Sequence, residues 1–175
     1  MTIESWITFE TLSSDLWVTA LDIGPARLRQ RMMRTAVKPE LVHEELENVE
    51  DLEYDPAKKF GSALRESGGV SFRSLRLIKK NYELAFGAKV KTVFEAEERY
   101  ISVLSAYRNA LVHNAGRADG TFKKQVKDFP QFEKIKKKAK LDLDGELVAK
   151  FKSASASAGA QLIHFVDDVL TPVQR

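Results

Sequence analysis

Apolar residues recur at helical spacing along most of this chain, and the interruptions fall at glycine and proline. Ile3, Trp6, Ile7, Leu12, Leu16, Trp17 and Leu21 form the first such stripe, which Gly24-Pro25 breaks. A second pattern, from Ala26 to Val37, sets Arg27, Arg29, Arg31 and Arg34 around Leu28, Met32 and Met33 and stops before Pro39. Val42, Leu46, Val49 and Leu52 follow at intervals of three or four residues. They lie in a stretch, residues 40–55, with eight acids and no Lys or Arg. A short amphipathic helix and a disordered, self-repelling segment are both consistent with it.

Ser67-Gly68-Gly69 is a break, and Ser71 is placed to cap the helix that follows. Phe72, Leu75, Ile78, Tyr82 and Phe86 share one face of that helix, which Gly87 ends. The strongest pattern runs over residues 91–115, with Val93, Ala96, Tyr100, Leu104, Tyr107 and Leu111 as its stripe and Gly116 at the C-cap position. Loop signals then take over at Asp119-Gly120 and Pro130. Lys140 to Asp144 alternates polar and apolar, which predicts a short extended segment near 139–148, paired around Asp144-Gly145. The last helix spans residues 146–170 on Leu147, Phe151, Ala154, Ala158, Leu162, Phe165 and Val169. Its middle, residues 153–160, holds only Ser, Ala and Gly, which lets another backbone approach closely. With no repeat and no linker, the expectation is an all-α, up-and-down helical bundle, one domain over residues 1–175.

A chain of 175 residues can bury a core without metals or disulfides. Cysteine is absent, which removes disulfides, thiolate nucleophiles and Cys-containing zinc sites. His43, His113 and His164 are widely scattered, so neither a metal nor a cofactor is expected. Short apolar runs and the lack of a signal-peptide pattern predict a soluble, cytoplasmic protein with no membrane contact. The net charge is only +3, yet its distribution is uneven: residues 123–140 hold eight lysines against Asp128 and Glu133.

The candidate chemistry lies at the end of the strongest helix, in Arg108-Asn109-Ala110-Leu111-Val112-His113. Asn109 and His113 are four residues apart and share a face, whereas Arg108 lies about 140° around from His113. Two copies of the helix about a two-fold axis would converge these groups better than one. Arg and His near a helix C-terminus can also simply complement its dipole.

The run RNALVHNAGRADG, after a long helix, resembles the HEPN superfamily, particularly its ribonuclease-like and defence-associated branches. The family pattern is an Arg, commonly followed by a polar residue such as Asn, and then a His a few residues on. Here Arg108, Asn109 and His113 match it, with four residues between Arg and His. The upstream SFRSLRLIKKNYELAFG is similar to the family's preceding helix, so the resemblance covers residues 71–120.

It implies a homodimer across the motif helix and a metal-independent endoribonuclease site, cutting RNA by attack of a 2′-OH to leave a 2′,3′-cyclic phosphate and a 5′-hydroxyl. His113 would serve as general acid or base. Arg108 would hold the nonbridging phosphate oxygens, and Asn109 would orient His113 or a phosphate. The biological setting implied is a toxin or an antiviral defence component, with a neutralising antitoxin or defence-system protein as partner. Some relatives carry a modified Tyr two residues after the His; Ala115 stands there and argues against that regulation.

Arg117, Lys123, Lys124 and Lys127 are the candidate RNA contacts, against the ordinary reading of the lysine run as a solvated face. Phe122, Phe129 and Phe132 interleave with them, either to stack on bases or to anchor the loop in the core. Tyr100 and Tyr107 read as packing residues, Trp6 and Trp17 as core or dimer contacts, and His43 and His164 as structural. A noncatalytic HEPN-like module, docking a protein through residues 40–55 or binding a nucleotide, is the alternative. A purely structural bundle would require Arg108 and His113 to be separated and buried in unrelated packing.

Overall fold

The computed structural model describes residues 2–35 and 59–171, and the acidic stretch with His43 lies outside them. The described residues form an all-α helical bundle. Its helices are α1 (Thr2–Ile23), α2 (Ala26–Thr35), α3 (Phe60–Glu66), α4 (Leu75–Phe86), α5 (Lys91–Glu95), α6 (Glu98–His113), α7 (Gly120–Gln125) and α8 (Gly145–Leu170).

The first helix is the organising element. Trp6 and Trp17 are both fully buried, so they belong to the core. Its most extensive packing is against α8, where the small-residue stretch permits close approach. A Cβ added at Gly159 would sit 3.0 Å from Cδ2 of Leu12. At its other end Asp22 accepts hydrogen bonds from the amides of Gly61 and Ser62 and from the Ser62 hydroxyl at 2.7 Å. The end of one helix thus supplies the cap that Lys59 does not give the next, satisfying amides that would otherwise lack partners.

The cap of α4 is Ser74 rather than Ser71, its hydroxyl accepting from the Leu77 amide at 3.4 Å. Ser71 instead gives its carbonyl to Nδ2 of Asn81 at 2.9 Å. Phe72 therefore precedes the helix, yet it is buried against Trp17 with ring centroids 5.6 Å apart. Gly87 ends the helix with φ +83°, a conformation that glycine adopts without a Cβ penalty.

The long pattern over residues 91–115 is divided. Ala96 and Glu97 interrupt it between α5 and α6, and the second helix ends at His113. The chain then turns through Ala115 (φ +50°) and Gly116 (φ +71°), and the Gly116 amide returns to the Ala110 carbonyl at 3.0 Å.

Beyond that turn the aromatic side chains go inward. Tyr107 is fully buried with Phe122, Phe132 and Phe151 around it at centroid distances of 5.3, 5.6 and 5.9 Å. Its hydroxyl donates to the Asp142 carbonyl at 2.9 Å. The extended pairing joins Lys140 to Arg117 as an isolated bridge, not to a hairpin around Asp144-Gly145. Asp144 instead caps α8, accepting from the Leu147 amide at 2.6 Å. Helices α1, α4, α5, α7 and α8 all pack on α6, burying its middle, while Arg99 in its first turn and Val112 and His113 in its last are exposed.

Candidate active-site cleft

Lys79 of α4 is ion-paired with Glu98 at the start of α6, while Ser74 at the start of α4 lines one cleft with His113 at the end of α6. The two helices therefore run antiparallel, and the N-terminus of one meets the C-terminus of the other. There they enclose an open cleft of about 390 Å³ lined by Arg73, Ser74, Leu77, Arg108, Asn109, His113, Asn114, Asp119 and Thr121.

The helical arithmetic sets Arg108 and His113 far apart around the axis, but both line this one cleft within a single chain. The cleft is wide enough to take in the Arg108 and the His113 sides of the helix. Arg108 is half-buried and donates from Nη1 to Oδ1 of Asn109 at 3.1 Å, while its Nε is buried without a partner. The Asn109 side chain is thus engaged with Arg108, leaving the exposed His113 imidazole without a hydrogen-bond partner among the described residues. Arg108 also lines an adjoining cleft of about 410 Å³, with Arg65, Asp15, Glu10 and Phe72, and so stands between the two.

The turn after His113 is fixed by Asp119. One carboxylate oxygen accepts from Nδ2 of Asn114 at 2.9 Å, and the other caps α7 by accepting from the Phe122 amide at 2.7 Å. These donors, the Phe122 amide foremost, hold the Asp119 carboxyl below the usual carboxylate range.

The four candidate RNA contacts stand apart from the cleft. Arg117, Lys123, Lys124 and Lys127 are exposed, and none of them lines it. The guanidinium of Arg117 donates to the Lys138 carbonyl at 3.2 Å, which turns it along the Arg117–Lys140 bridge. The lysines leave the cleft rim on α7, whose second residue, Thr121, is itself part of the lining. Phe122, Phe129 and Phe132 are buried, so they anchor this segment and are not available to stack on bases. His164 is exposed on α8 and takes no part in the core.

Arg73 and Ser74 entered the site without being singled out from the sequence. The signal was present in Ser71-Phe72-Arg73-Ser74: moving the cap from the first serine to the second puts Arg73 at the helix entrance. Elsewhere, a larger and mostly apolar groove of about 480 Å³ runs along the packed seam of α1 and α8, lined by Phe9, Leu12, Gly159 and Ile163 among others. It contains neither His nor Arg, so the smaller cleft is the better candidate for chemistry. Among the described residues, no group of three or more His, Asp or Glu side chains gathers in a way that could hold a metal ion. No helix among them is long and apolar enough to cross a membrane.

Compared with protein-family models, characterised proteins and solved structures, the chain matches none. What the fold and cleft define is a helical bundle with a cationic, imidazole-bearing surface site.

Proposed function

We propose that the protein is a metal-independent endoribonuclease of the HEPN type, acting on single-stranded or loop RNA. The observation that carries this reading is the gathering of Arg108, Asn109 and an exposed His113 in one polar cleft at a helix end. Burial in unrelated packing does not account for His113.

In the reaction the ribose 2′-oxygen forms a bond to its own phosphorus as the bond from phosphorus to the 5′-oxygen breaks. The 2′-OH proton must be taken up, and the leaving 5′-oxygen must receive one. The His113 imidazole performs one of these transfers. A second copy of the chain, with its own motif helix alongside, supplies the other. Val112, 52% exposed beside His113, gives the helix end an apolar surface suited to that contact. Arg108 neutralises the charge that builds on the nonbridging oxygens, for which its fork geometry is suited. The eight exposed lysines over residues 123–140 extend the phosphate-binding surface away from the rim. In biological terms the reading is a toxin or defence nuclease held in check or triggered by a protein partner.

The test is the chemistry of the ends. Incubation with a single-stranded RNA, followed by mass spectrometry, gives 2′,3′-cyclic phosphate and 5′-hydroxyl products. Ends with 3′-hydroxyl and 5′-phosphate, or intact RNA, overturn the reading.

A further inference from the structure

Arg73 is the cationic group of the cleft for which the reaction above has no use. It belongs to a different element from Arg108, immediately before the Ser74 cap of α4. Its Nε donates to the Ser71 hydroxyl at 3.2 Å, which fixes the stem of the side chain. Its two terminal nitrogens have no partner among the described residues, and it forms no ion pair there. Arg27, Arg34 and Arg76 likewise have no partner among the described residues, but none of them lines this cleft; of the two guanidinium groups that do, Arg108 is engaged with Asn109 and Arg73 keeps its fork open. The carboxylate that shares the cleft, Asp119, is already occupied by Asn114 and the Phe122 amide. A guanidinium held at its stem in the loop before α4, with a free fork in a cleft that has a second guanidinium from α6, is suited to a second phosphate.

We propose that Arg73 binds the phosphate next to the one held by Arg108, so that the cleft selects an internal linkage of a nucleic-acid strand over an isolated dinucleotide. The assignment of the scissile phosphate to Arg108 rests on the ribonuclease reading, whereas the two-phosphate site does not require turnover. Arg73 is thus a positioning residue that sets the minimum substrate length.

The experiment has a binding arm and a cleavage arm, both on the full chain. For binding, 2′-deoxy ligands lack the nucleophile and stay intact: a dinucleoside monophosphate and a trinucleoside diphosphate. Wild type binds the longer ligand about tenfold more tightly, the worth of one charged hydrogen-bonded contact. Arg73→Ala loses that gain, and the salt dependence of trinucleotide binding falls by about 0.7 in log-log slope. Arg73→Lys, a point charge without the fork, recovers part of it. On the ribonucleotide counterparts, Arg73→Ala lowers kcat/KM for the trinucleotide about tenfold more than for the dinucleotide. Retention of the length preference in Arg73→Ala, or an equal loss on both ligands, overturns the proposal. Loss of the binding preference in a protein that cuts no RNA supports the two-phosphate site while removing the ribonuclease reading.

Discussion

Asp119 accepts a hydrogen bond from Nδ2 of Asn114 on one carboxylate oxygen at 2.9 Å, while its other oxygen caps α7 at the Phe122 amide. The residue next to His113 is thereby tied to the helix that starts the lysine-rich segment. One carboxylate joins the His113 end of α6 to the lysine-rich surface proposed to carry RNA.

Replacing Asp119 by Ala removes both bonds and costs about 1 kcal/mol of stability at neutral pH, measured by urea unfolding. The donors lower its carboxyl in the folded state. Its contribution is therefore present above the unfolded carboxylate range, about pH 4, and disappears as pH falls through the lower folded value. The gap between wild type and Asp119→Ala narrows at pH 3 relative to pH 7. A gap that widens on acidification contradicts this.

Gly61 and Gly145 predict opposite responses to alanine. A Cβ at Gly61 would lie 2.6 Å from the Val18 carbonyl oxygen, in the contact between α3 and α1, whereas one at Gly145 meets nothing within 4 Å. Gly61→Ala destabilises by about 1–3 kcal/mol. Gly145→Ala is neutral or stabilising by up to about 1 kcal/mol. Thermal unfolding of the two variants separates these outcomes.

Tyr107→Phe removes the bond to the Asp142 carbonyl and costs about 0.5–1.5 kcal/mol at neutral pH. Burial, with the carboxylates of Asp142 and Asp144 adding to it, pushes the Tyr107 phenol up to about 12. The raised value means that its stabilisation is complete below about pH 10, where the unfolded phenol titrates, and is lost as pH rises through about 12. Alkaline unfolding of Tyr107→Phe is accordingly less steep over that window than that of wild type.

The helices that bury one broad stripe were legible in the sequence: α1, α4 and α8 follow the 3.6-residue period, and Gly87 caps α4, whereas the C-cap of α6 is Asn114, two residues before Gly116. The small residues of α8 announced close packing, and Gly159 against Leu12 provides it. Period alone could not show the break at Ala96-Glu97, because apolar Val93 and Ile101 on either side continue the stripe. Two serines competed to cap α4, and the one that lost, Ser71, is held by its carbonyl to Asn81. Asp144 looked like part of a turn and serves as a cap. For the candidate site, Arg108, Asn109 and His113 stood out in the sequence, but not that Arg108 and His113 line one cleft. The angle between Arg108 and His113 describes one helix in isolation, whereas the start of α4 and the turn at residues 114–121 complete the cleft wall. Arg73 comes from the loop that enters that second helix, and its place in the cleft depends on tertiary packing that no local pattern records.

In the proposed reaction the His113 imidazole transfers a proton during RNA cleavage. The most direct measurement is the rate of cleavage of a single-stranded RNA in EDTA by wild type and by His113→Ala, with folding of both checked by circular dichroism. Wild type cleaves the RNA, and the folded variant is slower by about 100-fold or more. Equal rates for the two proteins would contradict this role of His113.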